Sequence, residues 1–414
     1  MIDPSRRPLA AILCASVLMG ALTAAGCGKG AKTKEDSGGV SGNTLELGAA
    51  LSLTGSLAKE GLLTKQGYQL CQDKVNAAGG VKAGDKKLKL SITYSDDRSE
   101  PDTAAQLVDK FNDKGVKLIL GPYGSPSTEA AAATVERNGQ LMADSSGADD
   151  NIFTKGYKNT FAVLSPASQY VATMVKATAE AKPKPKTVAI LSADDGFSQE
   201  GAKGGAAEAR KQGMQVVAEE SFPEHATDVS SALTKVKGKN PDLILGSVHV
   251  EEGIAIIKQA KELGVKPAGG FGETVAPPTP DFQKALGDSA NGVVGSTQWT
   301  PAVDGTGPVF GSAKQYAKDF EKRFGATAEY HSAEAAAACL AITQAVEKAG
   351  TTDAKKVRDA MAKLDIDTFF GPIKFNSRGQ NVTKPMSAIQ IQDGKVVTIY
   401  PKDQAEAPLQ WPAK

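Results

Sequence analysis

Hydroxyl and acidic side chains that follow predicted strands are the residues of this sequence best suited to chemistry. Ser125 lies in the Gly- and Ser-rich stretch 121–128, between a predicted strand and the start of a predicted helix. Free backbone N–H groups and hydroxyl donors converge at such a place, so the stretch predicts a site that receives a carboxylate. Two acidic pairs, at 96–97 and 194–195, also follow strands, and most of these carboxylates are interpreted as helix caps.

The sequence lacks the motifs of the common α/β enzymes. It contains no G-x-S-x-G nucleophile elbow, no G-x-x-x-x-G-K-[ST] phosphate loop, and no strand followed by G-x-G-x-x-G. The histidines are His225, His249 and His331, far apart and without metal-ligand spacing, which indicates surface or hinge residues rather than metal ligands. The sequence therefore predicts no catalytic residues, no metal site and no cofactor.

Length and charge limit the number of domains and the class of partner. A chain of 414 residues is long enough for two domains, each with its own core. Lys and Arg number 48 against 47 Asp and Glu, so no basic field indicates a nucleic acid partner. A neutral or small polar ligand is the simpler expectation.

The N-terminal sequence has the pattern of a targeting segment. Two arginines precede an apolar run over residues 9–22, which ends in small residues directly before Cys27. This pattern predicts a lipoprotein signal peptide over residues 1–26, lipidation of Cys27, and a flexible tether over residues 27–43. A plain signal peptide cleaved nearby is the alternative, and export by the general or the twin-arginine route stays open. The expected location is the extracellular face of the cell membrane.

Two further cysteines, Cys71 and Cys339, lie within predicted helices. Outside the cell a disulfide between them is chemically permitted. Two buried free thiols fit the sequence equally well, so the pairing stays open at this stage.

From residue 43 onward, strands alternate with amphipathic helices, as in parallel sheets with crossover helices. A Pro- and Lys-rich stretch over residues 182–186 interrupts the pattern, which then restarts. The alternation predicts two α/β lobes. The predicted strands are 45–49, 88–94, 117–120 and 140–143, then 187–191, 214–219, 242–246 and 268–271. The predicted helices are 59–78, 102–114 and 128–137, then 198–212, 228–237 and 251–263.

Several short segments between residues 45 and 397 together carry a family resemblance. They are the segments 49–55 (AALSLTG), 75–81 (VNAAGGV) and 94–97 (YSDD), the Gly121-Pro122 loop, and the segment 370–375 (FGPIKF). On these motifs the sequence resembles the type I periplasmic binding proteins that serve branched-chain amino acid ABC transporters.

The resemblance implies a fold of two doubly wound, parallel-sheet α/β lobes joined by a three-strand hinge. Lobe 1 would comprise residues 44–163 and 299–367, and lobe 2 residues 164–298 and 368–405. Residues 406–414 would form a C-terminal tail. Closure of the hinge traps a ligand and creates the surface that the permease reads.

The resemblance also implies a ligand site. Ser125, with Gly124, and the loop Ser146-Gly147-Ala148-Asp149 match the places that hold the ligand carboxylate. Glu273 from the other lobe matches the acidic residue that meets the ligand ammonium, as an α-amino acid requires. A merely exposed loop carboxylate is the alternative interpretation of Glu273.

This sequence departs from the family at several of these places. Asp149 stands where the family often has Thr, and a carboxylate there would repel a ligand carboxylate unless it turned away or met a cation. Phe197 and His249 occupy places where tyrosines are frequent, and Glu60 falls near another. The changed pocket leaves the ligand open among amino acids, including polar or cationic ones, amides, and urea-like or aromatic solutes.

The resulting hypothesis is an extracellular solute-binding lipoprotein of an ABC importer rather than an enzyme. Its expected partners are a small ligand, most simply an amino acid, the permease subunits, and the membrane through the lipid anchor. A sensory receptor of the same fold is the alternative, and it would normally be followed by a transmembrane helix and a signalling module.

Overall fold

A computed structural model describes residues 39–412 of the chain. The predicted signal peptide, Cys27 and most of the predicted tether therefore lie outside the described residues. Within the described part of the chain, none of the helices combines the length and the apolar character needed to span a membrane.

The described residues alternate strands and helices along the chain, as the sequence predicts. The strands are β1 Val40–Ser41, β2 Thr44–Leu51, β3 Val81–Ala83, β4 Lys86–Asp96, β5 Leu118–Leu120, β6 Leu141–Asp144, β7 Thr160–Ala162, β8 Thr187–Ala193, β9 Gln215–Phe222, β10 Leu243–Ser247, β11 Phe271–Glu273, β12 Val294–Thr297, β13 Thr306–Gly307, β14 Gly311–Ser312, β15 Asp365–Thr368, β16 Gly371–Lys374, β17 Ser387–Gln392 and β18 Lys395–Tyr400. The helices are α1 Ala58–Ala77, α2 Pro101–Asp113, α3 Ser125–Asn138, α4 Ser168–Thr178, α5 Gly196–Lys211, α6 Ser230–Lys237, α7 Val250–Leu263, α8 Pro280–Leu286, α9 Ala313–Phe324, α10 Tyr330–Ala349 and α11 Ala354–Met361.

The first sheet has the strand order β3-β4-β2-β5-β6-β7, with β1 paired to β2. From β4 through β7 the neighbouring strands run parallel. The apolar side chains of β2, β5 and β6 are fully buried, as expected for parallel strands with helices on both faces. This is the first doubly wound lobe.

The second sheet has the strand order β18-β17-β12-β11-β10-β8-β9. The five strands from β9 to β12 run parallel, and β17 and β18 add antiparallel partners at the edge next to β12. The prediction of an α/β fold with two doubly wound lobes is confirmed.

Helices from opposite ends of the sequence complete the first lobe. Helix α1 packs against α10, although α10 begins 253 positions after the end of α1. Cys71 of α1 and Cys339 of α10 form a disulfide across this contact, with 6.3 Å between their Cα atoms. The alternative of two free thiols therefore does not hold in the structure.

The chain passes between the two sheets three times. The first passage follows β7 and precedes α4, the second follows β12, and the third precedes β17. The predicted lobe 1 segment ends at residue 367, but the β15–β16 hairpin continues the first lobe beyond it. Ile373 and Phe375 are buried in the core of the first lobe. The third passage therefore lies within residues 376–386. We call the passages, at residues 163–167, 298–300 and 376–386, the three crossovers.

Candidate ligand-binding cleft

The carboxyl ends of the parallel strands of both sheets carry the residues predicted to bind ligand. Ser125 follows β5, and residues 146–149 follow β6; in the second lobe, Phe197 follows β8, His249 follows β10, and Glu273 ends β11. Loops at these strand ends form the ligand crevice in open α/β sheets. Contacts between residues of the two lobes, described below, place these ends against each other.

The start of α3 and the loop after β6 are held together by hydrogen bonds. The backbone N–H of Asp149 donates to Ser125 Oγ at 3.1 Å, and the N–H groups of Ser146 and Gly147 donate to Asp144 Oδ1. A Cβ atom on Gly147 would overlap the side chain of Thr128, so only glycine permits this approach to α3. The structure thus brings the two predicted carboxylate-binding segments side by side.

Gly124 caps the start of α3 with a φ of 86°, a conformation that glycine adopts without strain. Ser125 is the first residue of the helix, and its side chain is buried. A helix start presents free N–H groups and the positive end of the helix dipole, which together favour an anion. Binding of a ligand carboxylate at this helix start stays a prediction.

Asp149 does not point toward that helix start. Its Oδ1 accepts hydrogen bonds from the backbone N–H of Asn151 at 2.9 Å and from Asn151 Nδ2 at 3.0 Å. The other oxygen, Oδ2, lies so close to Gly196, the first residue of α5, that a Cβ atom there would overlap it. The carboxylate is turned away from Ser125 and faces a helix start of the second lobe.

Tyr123 joins two histidines at the centre of the cleft. Its hydroxyl lies 3.3 Å from His331 Nε2 and 3.5 Å from His249 Nδ1. His331 Nδ1 lies 2.5 Å from Glu329 Oε2, and His249 Nε2 lies 3.9 Å from Asp195 Oδ1. The interpretation of these two histidines as surface or hinge residues was wrong: both are buried, because folding brings positions more than a hundred residues apart onto one hydroxyl.

The surrounding carboxylates favour a charged His249. Burial by itself lowers the pKa of this imidazole, but Asp195, then Glu252 and Glu60, outweigh burial and raise the pKa to about 9. Burial likewise opposes ionisation of Asp195, yet His249 and Ser198 lower its pKa to about 2. Asp195 also caps α5 by accepting from the N–H of Ser198, as predicted for most acidic residues after strands.

Substituting Asp195 by asparagine is expected to lower the pKa of His249 toward its ordinary value, since asparagine retains the cap but not the charge. The His249–Asp195 pairing stabilises the fold fully below pH 6.5 and loses its effect as the pH rises through about 9. A histidine NMR titration measures this, because the chain has only 3 histidines. Asp194→Asn, at the exposed neighbouring position, is the matched control, and an unchanged His249 titration in Asp195→Asn would contradict the pairing.

Glu60 of α1 reaches across to the second lobe. Its Oε1 accepts a hydrogen bond from the backbone N–H of Val250, the first residue of α7, at 3.3 Å. Its Oε2 is buried and has no hydrogen-bond partner within residues 39–412. Burial raises the pKa of this carboxyl, while His249 and His331 oppose the rise. Glu60 therefore lies between both imidazoles and a helix start.

Glu273 is buried at the end of β11. Neither of its carboxylate oxygens has a hydrogen-bond partner in the described part of the chain, and the side chain lies against Gly246 of β10 and Gly253 of α7. Burial raises its pKa well above the usual range, and Glu252 adds to the rise. The alternative of an exposed loop carboxylate is wrong. The structure places the Glu273 side chain between β10 and α7, without a hydrogen bond to Ser125.

Aromatic side chains pack around His249 beside the cleft. The ring of Phe197 packs edge-on against Tyr170, with 5.0 Å between the ring centroids, and lies 5.2 Å from the His249 ring. Ala148 belongs to the same buried cluster. The two predicted residues Ala148 and Phe197, one from each lobe, thus belong to one buried cluster.

The lobes are closed on each other around this centre. Lys59 Nζ lies 3.1 Å from Glu251 Oε1, and Ser56 Oγ lies 3.3 Å from His225 Nε2, each joining the first lobe to the second. A cavity of about 280 Å³ remains at the mouth. It is lined by Gly55, Ser56, Leu57, Arg98, Ser99, Glu100, Pro101, Pro126 and Ser127 of the first lobe and by Asp195, Glu224, His225 and His249 of the second.

The sequence interpretation missed Tyr123, His331 and Glu329. Tyr123 lies within the stretch 121–128, so its position in that loop was a usable signal. His331 and Glu329 lie at the start of α10, more than two hundred residues from Tyr123, and no local pattern marks them. Only the fold brings them into the cleft.

Comparison with known proteins identifies relatives along nearly the whole body of the chain. A family model described as "Periplasmic binding protein" matches residues 44–395. Leu/Ile/Val-binding protein homolog 8 of Brucella abortus (strain 2308) is 26% identical over 382 residues, which cover 89% of this chain and 93% of that protein.

Solved structures share the fold. A branched-chain amino acid transporter substrate-binding protein of Streptococcus pneumoniae, in complex with isoleucine, has a TM-score of 0.74 and 24% identity, covering 85% of this chain and 97% of that one. An ABC transporter solute-binding protein of R. palustris, in complex with benzoate, has a TM-score of 0.72 and 19% identity, covering 86% and 95%. Two α/β lobes that meet at their strand ends, together with a family match over residues 44–395, establish that the chain belongs to the periplasmic binding protein family.

Proposed function

We propose that this protein is the extracellular solute-binding component of an ABC importer and that it closes its lobes on an α-amino acid. One observation carries the ligand class: Ser125 at a helix start of one lobe and the unpartnered, buried carboxylate of Glu273 in the other. An α-amino acid brings a carboxylate and an ammonium, and it therefore needs donors at one end and an anion at the other.

The carboxylate end is assigned to the start of α3. Ser125 supplies a hydroxyl, and the start of α3 after Gly124 supplies backbone N–H groups. The loop over residues 146–149 supports this helix start, since its own N–H groups donate to Asp144, to Ser125 Oγ and to a carbonyl of the loop, and the Asp149 carboxylate is turned aside. Backbone donors at a helix start bind an anion without requiring a buried cation, which fits the absence of any Arg or Lys from the Ser125 contacts within residues 39–412.

The ammonium end is assigned to Glu273. A buried carboxylate without a partner either holds a proton or meets a cation. Glu60, with one unpartnered oxygen, offers a second acceptor on the opposite side. The relatives support this assignment, because one is named a Leu/Ile/Val-binding protein homolog and another was solved with isoleucine.

An aromatic carboxylic acid is the second candidate ligand. The adjacent rings of Phe197, Tyr170 and His249 favour an aromatic ligand, and the R. palustris relative was solved with benzoate. In this case the start of α3 would still receive the carboxylate, but Glu273 would meet no ammonium. The two candidates therefore differ in their dependence on Glu273.

The proposal also covers delivery and anchoring. Lipidation of Cys27 would hold the body at the extracellular face of the membrane, and the closed lobes would present their surface to the permease. The signal-like run over residues 9–22 and the small residues before Cys27 support this part of the proposal.

A thermal-shift screen tests the ligand class, because a ligand that binds only the folded state raises the melting temperature. A shift confined to α-amino acids supports the assignment. A shift confined to aromatic acids moves the proposal to the second candidate. If neither class shifts the melting temperature while sugars or polyamines do, the amino-acid assignment falls.

Ser125→Ala is expected to weaken binding of the ligand that the screen identifies by about 1.5–3 kcal/mol, the range for a hydrogen bond to a charged group. Isothermal titration calorimetry measures the change. The matched control is Ser312→Ala, since Ser312 is also a helix-start serine whose Oγ accepts a backbone N–H, in α9 away from the cleft. Equal affinities of the two variants would remove Ser125 from the ligand site.

A further inference from the structure

Buried polar groups tie the three crossovers to one another. Gln298 in the second crossover accepts from the backbone N–H of Ser165 at 3.0 Å and donates from Nε2 to the carbonyl of Ser165 at 3.1 Å. Ser165 in the first crossover donates from Oγ to the carbonyl of Lys384 in the third at 2.9 Å. The first crossover therefore contacts both of the others through buried hydrogen bonds.

The side chain of Lys384 closes this arrangement; burial lowers the pKa of its amino group to about 7, and Glu334 opposes this shift. The residue is only 6% exposed, and Nζ donates to the backbone carbonyl of Gln298 and, at 3.2 Å, to that of Pro385. The third side is covered by the ring of Phe370, whose centroid lies 4.1 Å from Nζ. Two carbonyls and an aromatic face replace water around the Lys384 amino group. The contacts join the second and third crossovers and reach the end of the β15–β16 turn.

A buried lysine at this place is not explained by packing. Removing an ammonium from water is unfavourable, and a well-packed apolar side chain of similar volume serves stability equally well or better. Groups of this kind can be retained for conformational specificity. In this protein the specificity concerns the geometry of the crossovers, because both carbonyls that Lys384 contacts belong to them.

Lys384 is also coupled to the predicted ligand loop. Glu334 of α10 is buried, and its pKa is raised by burial and by Glu329 and Asp144; Lys384 and the hydroxyl of Ser146 oppose that rise. Glu334 thus lies between the crossover lysine and the loop over residues 146–149. A change in the position of Lys384 changes the surroundings of a carboxyl group beside that loop.

We propose that Lys384 is a positioning residue that sets the angle between the three crossovers and thereby the closure of the two lobes. This inference rests on the proposed ligand clamp, since it assumes that the lobes open and close. It adds a residue outside the cleft whose role is to hold the closed geometry.

Lys384→Met tests the proposal, because methionine retains the apolar stem and removes the three donors. Hydrogen exchange of the three crossovers, at residues 163–167, 298–300 and 376–386, is expected to become about tenfold faster, as the loss of the hydrogen bonds from Nζ implies. Small-angle scattering without ligand is expected to show a larger radius of gyration. The matched control is Lys176→Met, because Lys176 lines the same surface cavity as Lys384 and is not part of a crossover. Its exchange and radius are expected to match those of the unmodified protein.

If Lys384 only stabilises the fold, a different pattern of exchange and radius is expected. In that case Lys384→Met would lower the melting temperature or speed exchange throughout both lobes while the radius stayed unchanged, and the proposal would be overturned. If Lys384→Met does not fold, Ser165→Ala replaces it, because that variant removes a single crossover hydrogen bond. Unchanged crossover exchange and an unchanged radius in Ser165→Ala would then reject the proposal. Both measurements are made without ligand, so a failed ligand assignment does not alter them.

Discussion

Glu273→Gln is expected to weaken α-amino acid binding by about 2–5 kcal/mol, the range for truncating one partner of a buried charge pair. Glutamine keeps the size and one acceptor of the side chain but cannot neutralise the ligand ammonium. Calorimetric titration of the unmodified and substituted proteins with the amino acid found by the screen measures the loss. Binding of an aromatic acid, which brings no ammonium, is expected to stay unchanged.

The same substitution is expected to stabilise the ligand-free protein at neutral pH. Burial raises the folded-state pKa of Glu273 well above that of the unfolded chain. The stability associated with this group is therefore complete at low pH and is lost as the pH rises from about 4.5 through the raised folded-state value. In Glu273→Gln this part of the pH dependence disappears, and melting curves between pH 4 and pH 9 record the difference.

Glu251→Gln is the matched control, since Glu251 lies on the same lobe and pairs with Lys59 at the exposed edge of the cleft. A surface pair of this kind is worth about 0–1 kcal/mol, so the control is expected to change binding little. If Glu273→Gln and Glu251→Gln bind the amino acid equally well, the ammonium site lies elsewhere, and Glu60, with its unpartnered oxygen, becomes the residue to substitute.

Local sequence patterns were sufficient to predict much of the fold. The predicted strands at 45–49, 187–191 and 242–246 lie within or overlap the observed β2, β8 and β10. Each is an apolar run flanked by turn residues, and such runs carry their signal within a few positions. The third crossover was less predictable, because the β15–β16 hairpin returns to the first lobe through two side chains, Ile373 and Phe375, that carry no information about which core they join.

The cleft shows where local patterns stop being informative. The stretch 121–128 and the loop over residues 146–149 could be predicted, because glycines and serines between a strand and a helix indicate a ligand loop. The orientation of Asp149 could not be predicted, since it depends on Asn151 and on Gly196 of the other lobe. The contacts of His249 and His331 with Tyr123 could not be predicted from the sequence either, because they depend on the packing of both lobes.

Replacing Cys71 and Cys339 together by alanine is expected to lower the free energy of unfolding by about 2–5 kcal/mol. The two cysteines are separated by 268 positions, and the part of the second lobe from α4 to β12 lies within the loop that they close. Because the first lobe is built from two segments on either side of that insertion, the disulfide holds α1 to α10 and restricts the unfolded chain over most of its length. A denaturant titration of the double variant measures the loss.

A reducing agent supplies the control for this last prediction. It is expected to destabilise the unmodified protein to about the level of the double variant and to leave the double variant unchanged, because the variant has no bond between α1 and α10 to reduce. Equal unfolding midpoints for the oxidised protein and the double variant would show that packing of α1 on α10 alone holds the first lobe together. In the expected case, the disulfide offsets the entropic cost of bringing together two segments of the first lobe that are far apart in the sequence. Packing between the two segments does not remove that cost.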